Sequence, residues 1–222
     1  MLVITSLNSH LYQSELNSMF RMRHRILVGE RGWTAIERPD GLERDQFDHD
    51  DAIYLVTLDE DREATGCMRL IPTLARNLTA EVFPHLCNLE PVPKSEFIYD
   101  ASRLVVDTSE RKKKKYSLAA SQLICGWIEV GTALGLEDFT GILDVPYFTL
   151  SLSMGWEIRA MGTPQEVDGE AVIACRIKAD QKQLQVARKL RGVDDPVLSD
   201  NDIELLHVTH RILHQAPDRR AA

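Results

Sequence analysis

Residues 43–56, ERDQFDHDDAIYLV, place Asp45, Asp48, Asp50 and Asp51 within seven positions, directly before an apolar run. Carboxylates this close repel one another, so the cluster needs a cation nearby: a metal, an arginine or a cationic substrate. Calcium fits poorly. An EF-hand loop needs a central glycine and a glutamate at its twelfth position, and here Ile53 and Tyr54 stand where the loop would continue. Further on, Arg69 in GCMRL, and Asp100 and Arg103 in IYDASRLVV, interrupt otherwise apolar strands. A guanidinium buried without a partner is strongly destabilising, so both arginines must meet an acid or an anionic ligand. Together with Asp45, Asp48 and Asp100 they describe either one shared polar site or an internal ion-pair network that braces the fold.

Two other groups could carry chemistry. Arg23 precedes Trp33 in MRHRILVGERGW, with Leu27 between them on the same helix face. An arginine beside a tryptophan could clamp a carboxylate and stack on a ligand, or it could be a solvated arginine with the indole packing its end. Lys112, Lys113, Lys114 and Lys115 stand between a strand and a helix N-terminus. Four lysines there could hold phosphates or an acidic partner, or form a solvated face. Elsewhere the sequence excludes more than it offers. A net charge of −8 argues against a nucleic-acid binder. Cys67, Cys87, Cys125 and Cys175 are scattered without a CxxC pair, so neither a zinc site nor a disulfide framework is expected. No stretch reads as a signal peptide or a membrane span, which leads to the expectation of a soluble, cytoplasmic protein without stable membrane association. GxGxxG and P-loop patterns are absent.

The elements that must position these residues follow from periodicity. Residues 1–5 read as a strand and 11–33 as a helix ending near Gly29, with Leu16, Met19, Phe20, Arg23 and Leu27 at 3–4 spacing. A polar loop with short turns covers 30–51, and strands 52–58 and 64–72 form a hairpin. A short helix at 80–86 is broken at Pro84, and a strand at 96–107 follows. Residues 116–135 form a buried helix stopped by Gly135. Strands at 139–145, 156–162 and 170–178 enclose a short helix opened by Pro146, and two amphipathic helices occupy about 180–215. Strands and helices alternate without regular βαβ units, so the expectation is an α/β (α+β) protein: one domain over 1–222, a mixed sheet flanked by helices.

Arg23, Leu27 and Trp33, then Asp45-x-x-Asp48, Arg69 in GCMRLIPT, Phe83 in EVFPHL, DASR at 100–103 and SMGWEI at 153–158 resemble, in order and spacing, the acyl-homoserine lactone synthases, the autoinducer synthases of quorum sensing. The resemblance implies an N-acetyltransferase-like sheet, splayed in the middle to admit an acyl-pantetheine arm. It also implies a reaction. The amine of S-adenosylmethionine attacks an acyl thioester, and the methionine carboxylate then closes a lactone and expels methylthioadenosine. These are substrates, with no prosthetic group or metal. On this reading Asp100 is the base, Arg103 and Ser102 act with it, and Arg23, Leu27, Trp33, Asp45, Asp48, Arg69 and Phe83 bind substrate. Lys112 to Lys115 would dock the acyl donor. The sequence departs from the family pattern twice: Leu27 stands where Phe is usual, and Asp100 where Glu is usual. The second shortens the reach by about 1.5 Å.

Within the family the acyl donor is an acyl carrier protein or acyl-CoA. The short helix before Gly155–Trp156, YFTLSLSMGW, carries no basic residue for an acidic carrier protein, which favours acyl-CoA. Residues near FTGILDVPYF are expected to line the acyl tunnel, where Asp144 would be an odd neighbour. The alternatives are another N-acyltransferase of this fold, acting on an amino acid or amine, and a catalytically impaired binder.

Overall fold

The structure, a computed structural model, describes residues 1–108 and 117–215. Its strands are β1 (Leu2–Ile4), β2 (Ile53–Leu58), β3 (Ala64–Pro72), β4 (Ile98–Val106), β5 (Asp138–Asp144), β6 (Ile158–Ala160), β7 (Gln165–Val167) and β8 (Glu170–Lys178). They form one sheet in the order β1-β2-β3-β4-β5-β8-β6, with β7 also paired to β8. Each pair is antiparallel except β4–β5. The helices are α1 (Gln13–Arg23), α2 (Leu78–Glu81), α3 (Leu118–Leu134), α4 (Val145–Ser153), α5 (Gln181–Arg191) and α6 (Asp200–Gln215).

Alternation along the strands assigns the two sheet faces. Ile53, Leu55, Met68, Leu70 and Tyr99 point to α3, α5 and α6, where they pack with Leu123, Trp127, Ile128, Leu184 and Leu206. Tyr54, Val56, Cys67 and Ile71 point the other way, onto Leu16, Met19, Phe20 and Met22 of α1. Helix α3 begins where the Ser117 hydroxyl accepts from the Ala120 N–H and ends at Gly135, whose φ of 64° allows the left-handed turn that stops it. The first helix is not uniform: after Arg23 it widens into a π-helical stretch, His24–Glu30. Strand β7 was not expected from the sequence, and neither was the start of α2 ahead of Ala80.

Two departures from regular pairing shape the site. The β3–β4 register shifts between Cys67 and Arg69, so that Arg103 and Leu104 together face Met68 alone. Arg103 sits at φ 55°. This β-bulge turns Arg103 to the α1 face directly after Ser102, which regular alternation forbids. The second departure is between β4 and β5, which pair only through Ile98↔Asp138, Tyr99↔Phe139 and Asp100↔Thr140. Beyond Ala101 and Gly141 the two strands run on unpaired, and the sheet is splayed, as the family resemblance implies.

Candidate active site

The cation beside the aspartates is arginine, three times over. Arg23, on the last turn of α1, is fully buried. Its Nη1 and Nη2 donate to the two carboxylate oxygens of Asp48 at 2.8 and 3.0 Å, and its Nε donates to Glu43. Arg69, also fully buried, donates in the same forked way to Asp45 at 2.6 and 3.1 Å and from Nε to the Ser102 hydroxyl at 3.1 Å. Arg69 also lies 3.0 Å from Asp48. Arg103, delivered by the bulge, bridges Glu43 at 2.9 Å and Asp45 at 2.8 Å. Tyr54 adds a hydroxyl donor to Asp48 at 2.9 Å. Three guanidinium groups thus meet three carboxylates, and planar forks on paired oxygens are the strongest form of such contacts.

The electrostatics follow from the burial. Burial alone would raise the Asp48 carboxyl, but Arg23 and Arg69 overcome it and hold the group well below the usual carboxylate range. Burial works equally against the Arg23 cation, and Asp48 and Glu43 reverse that effect. Cys67, beneath the network, is pushed up to about 12 by burial and is an inert thiol. Only one edge of the network approaches solvent: the Asp45 side chain is 13% exposed and that of Arg103 9%. Asp50 and Asp51 take no part in it.

Asp100 stands apart, one step along the same face of β4. It pairs in register with Ile71, while Ser102 pairs with Arg69, so the two side chains are about 6.5 Å apart along the strand. Asp100 is 1% exposed. Its Oδ1 accepts from the hydroxyls of Thr79 on α2 and, at 2.9 Å, Thr140 on β5. Its Oδ2 is buried with no hydrogen-bond partner among the described residues. Burial raises the Asp100 carboxyl, and the two hydroxyls, Arg69 and the Thr79 backbone N–H only partly oppose this. A buried acceptor left unpaired costs about 1–3 kcal/mol, so a fold retains one where something outside the chain completes it.

Other expected site residues fall in different settings. Arg23 is not beside Trp33: it is enclosed by Glu43 and Asp48, and the guanidinium over the Trp33 ring, 5.8 Å from its centroid, belongs to Arg31. Trp33 is 37% exposed, and its backbone N–H donates to the Leu27 carbonyl at 2.9 Å. Leu27 itself is core beneath α1. Ser102 accepts a hydrogen bond from the Arg69 Nε, which leaves its own hydroxyl proton to donate. Phe83 packs on a small separate cluster with Leu86, Met161 and Ala174. Asp144 accepts from the Tyr147 N–H at 2.6 Å and caps α4, which explains a carboxylate in an apolar stretch. Lys112 to Lys115 lie outside the described residues. Glu43, Thr79 and Thr140 were not singled out in the sequence. No cluster suited to a metal occurs among the described residues, and none of their helices is long and apolar enough to cross a membrane.

Comparison with known proteins gives a consistent result. Residues 8–186 match the family described as autoinducer synthase. The chain is 31% identical to the isovaleryl-homoserine lactone synthase of Bradyrhizobium diazoefficiens, over 89% of this chain and 88% of that one. It is 28% identical to an acyl-homoserine-lactone synthase of Agrobacterium fabrum, over 78% and 83% respectively. Among solved structures, a CoA-dependent acyl-homoserine lactone synthase with SAM and isopentyl-CoA superimposes at a TM-score of 0.79 and 28% identity, covering 93% of this chain and 97% of that one. An acyl-CoA N-acyltransferase from Pseudomonas aeruginosa, at 14% identity and a TM-score of 0.53, shares the fold.

Proposed function

The chain belongs to the autoinducer synthase family, the acyl-homoserine lactone synthases, and on that premise we propose that it makes an N-acyl-L-homoserine lactone from S-adenosylmethionine and an acyl-CoA. The observation that carries this reading is Asp100, a buried carboxylate with one oxygen unpartnered among the described residues, next to the point where β4 and β5 part.

The ammonium of S-adenosylmethionine must lose a proton before it can attack. Asp100 takes it, directly or through one water, and its raised pKa brings a carboxylate closer to the neutral range where a base is effective. The amine nitrogen bonds to the thioester carbon and the C–S bond breaks with its electron pair going to sulfur; the second proton that the nitrogen sheds in becoming an amide passes to that sulfur, which leaves as the thiol. The methionine carboxylate then attacks its own γ-carbon. The bond to the sulfonium breaks with its electron pair going to sulfur, and methylthioadenosine leaves as a neutral thioether. Past Ala101 and Gly141 the facing edges of β4 and β5 have no strand partner, so their backbone N–H groups are available to the developing oxyanion.

The arginine–carboxylate network acts as a rigid wall. With its charges matched internally, it meets the substrate along the edge formed by Asp45 and Arg103, which suits an ammonium and a carboxylate on one carbon. Trp33 and Phe83 supply aromatic faces. On the other side of the splay, Leu104, Leu143, Phe148 and Met154 are partly buried against the core around Trp127 and Trp156 and offer an apolar berth for the acyl group. Two features support acyl-CoA over a carrier protein. The helix α4 has no basic residue, and two solved relatives at a TM-score of 0.79 are described as CoA-dependent.

The test is product mass spectrometry. Purified protein is incubated with S-adenosylmethionine and a panel of straight, branched and aromatic acyl-CoA and acyl-carrier-protein donors. An acyl-homoserine lactone formed together with methylthioadenosine, from an acyl-CoA, is the expected result. Acylation of another amine without methylthioadenosine would establish a different N-acyltransferase. Binding of S-adenosylmethionine without turnover of any donor would establish an impaired binder.

A further inference from the structure

The base is gripped from two elements. The hydroxyls of Thr79 on α2 and Thr140 on β5 converge on Asp100 Oδ1, while Oδ2 has no partner among the described residues. A hydroxyl has one proton to donate, so each threonine is committed to this oxygen. Both threonines are buried. Thr79 is held in place by the first turn of its helix: Asn77 caps α2 by accepting from the Ala80 N–H at 3.0 Å and donates to the Ala75 carbonyl at 3.0 Å. Thr140 belongs to the last residue pair joining β4 to β5 before they separate. Two donors on one oxygen fix the carboxylate plane and leave a single direction for the other oxygen.

We propose that Thr79 and Thr140 are positioning residues, clamping Asp100 by Oδ1 so that Oδ2 alone is presented to the attacking amine. This rests on Asp100 being the base. The clamp matters more for an aspartate than for a glutamate, because the shorter side chain cannot recover a misplaced reach by rotating about an extra bond. It also tunes the proton. Donors favour the charged carboxylate against the burial that opposes it, so losing a hydroxyl raises the pKa of Asp100 further. The other titratable or charged groups acting on Asp100 are Arg69 on β3, Cys87 beyond α2 and Cys175 on β8. The cysteine thiols are raised by burial and stay neutral in the working range, which leaves the two hydroxyls, Arg69 and the Thr79 backbone N–H to set the carboxylate.

The experiment is a pH–rate profile of the full chain with S-adenosylmethionine and the acyl-CoA it consumes fastest, for T79V, T140V, T79S, T140S and D100N, with T79A as a second hydroxyl-free variant should T79V not fold. The valine variants are expected to lose about 10–100-fold in kcat, with KM for S-adenosylmethionine within about twofold. Their acid limb moves to higher pH by about one unit. The serine variants restore both. If D100N is inactive but the hydroxyl-free variants keep the parent kcat and limb, the clamp is wrong and the base assignment stands. If D100N retains the parent rate and acid limb, the base assignment fails, and the clamp with it.

Discussion

Glu43 is the residue on which the polar wall turns. It is fully buried and shared by Arg23 and Arg103, so removing its charge leaves three guanidinium groups, those two and Arg69, to be balanced by Asp45 and Asp48 alone. Breaking one side of a buried ion pair costs about 3–5 kcal/mol. Glu43→Gln is therefore expected to lower the unfolding free energy, read from the urea midpoint and slope, by that amount, while Asp50→Asn, at an exposed position outside the network, stays within about 0.5 kcal/mol of the parent. Equal midpoints for the two variants would contradict the network. Asp45, Asp48, Arg69 and Arg103 were legible because charges inside apolar strands and crowded carboxylates both require partners. Glu43 was not, because it lies in a polar loop without periodicity and glutamate is rarely fully buried. The signal lay in the arithmetic of charge: three inward arginines against two aspartates leave one cation unmatched. Thr79 and Thr140 gave less warning still, since a threonine is an ordinary strand or helix residue until its hydroxyl is seen to point at a carboxylate.

At the scale of elements, the sequence located nearly every strand and helix, because period-2 and period-3.6 patterns are local. What it could not locate depends on neighbours. The bulge that brings Arg103 to the α1 face is a property of the β3–β4 register, and nothing in DASRLVV announces a left-handed residue. Strand β7 is three residues long, below the length at which alternation is visible, although Asp168–Gly169, both at positive φ, mark its hairpin turn to β8. Asp144 is the instructive case in the other direction. It was an anomaly as a tunnel residue and is ordinary as the cap of α4. Asp144→Ala is expected to reduce stability by about 1 kcal/mol and to leave the ranking of acyl donors unchanged. Thermal unfolding and the donor panel together check this: a changed ranking at unchanged stability would return Asp144 to the tunnel.

At the scale of the whole molecule, the two carboxylates that matter most pull stability in opposite directions with pH. Asp48 has its folded pKa lowered, so its contribution is complete above the ordinary value of 3.8 and is lost as pH falls below it. Asp100 has its folded pKa raised, so the fold is favoured while it is protonated and loses stability as pH climbs from 3.8 through the folded value. The network around Asp48 therefore governs acid unfolding, and the isolated carboxylate is a strain that the rest of the fold sustains at neutral pH. Asp100→Asn carries no charge at any pH and escapes that strain. It is expected to be inactive yet at least as stable as the parent at pH 7, with the difference closing as pH falls below 3.8 to about 3, where the parent carboxyl is mostly protonated in both states. Urea midpoints at the two pH values decide it. A variant less stable than the parent at pH 7 would mean that the hydroxyls and Arg69 outweigh the desolvation, and that the carboxylate is held for stability and not at its expense.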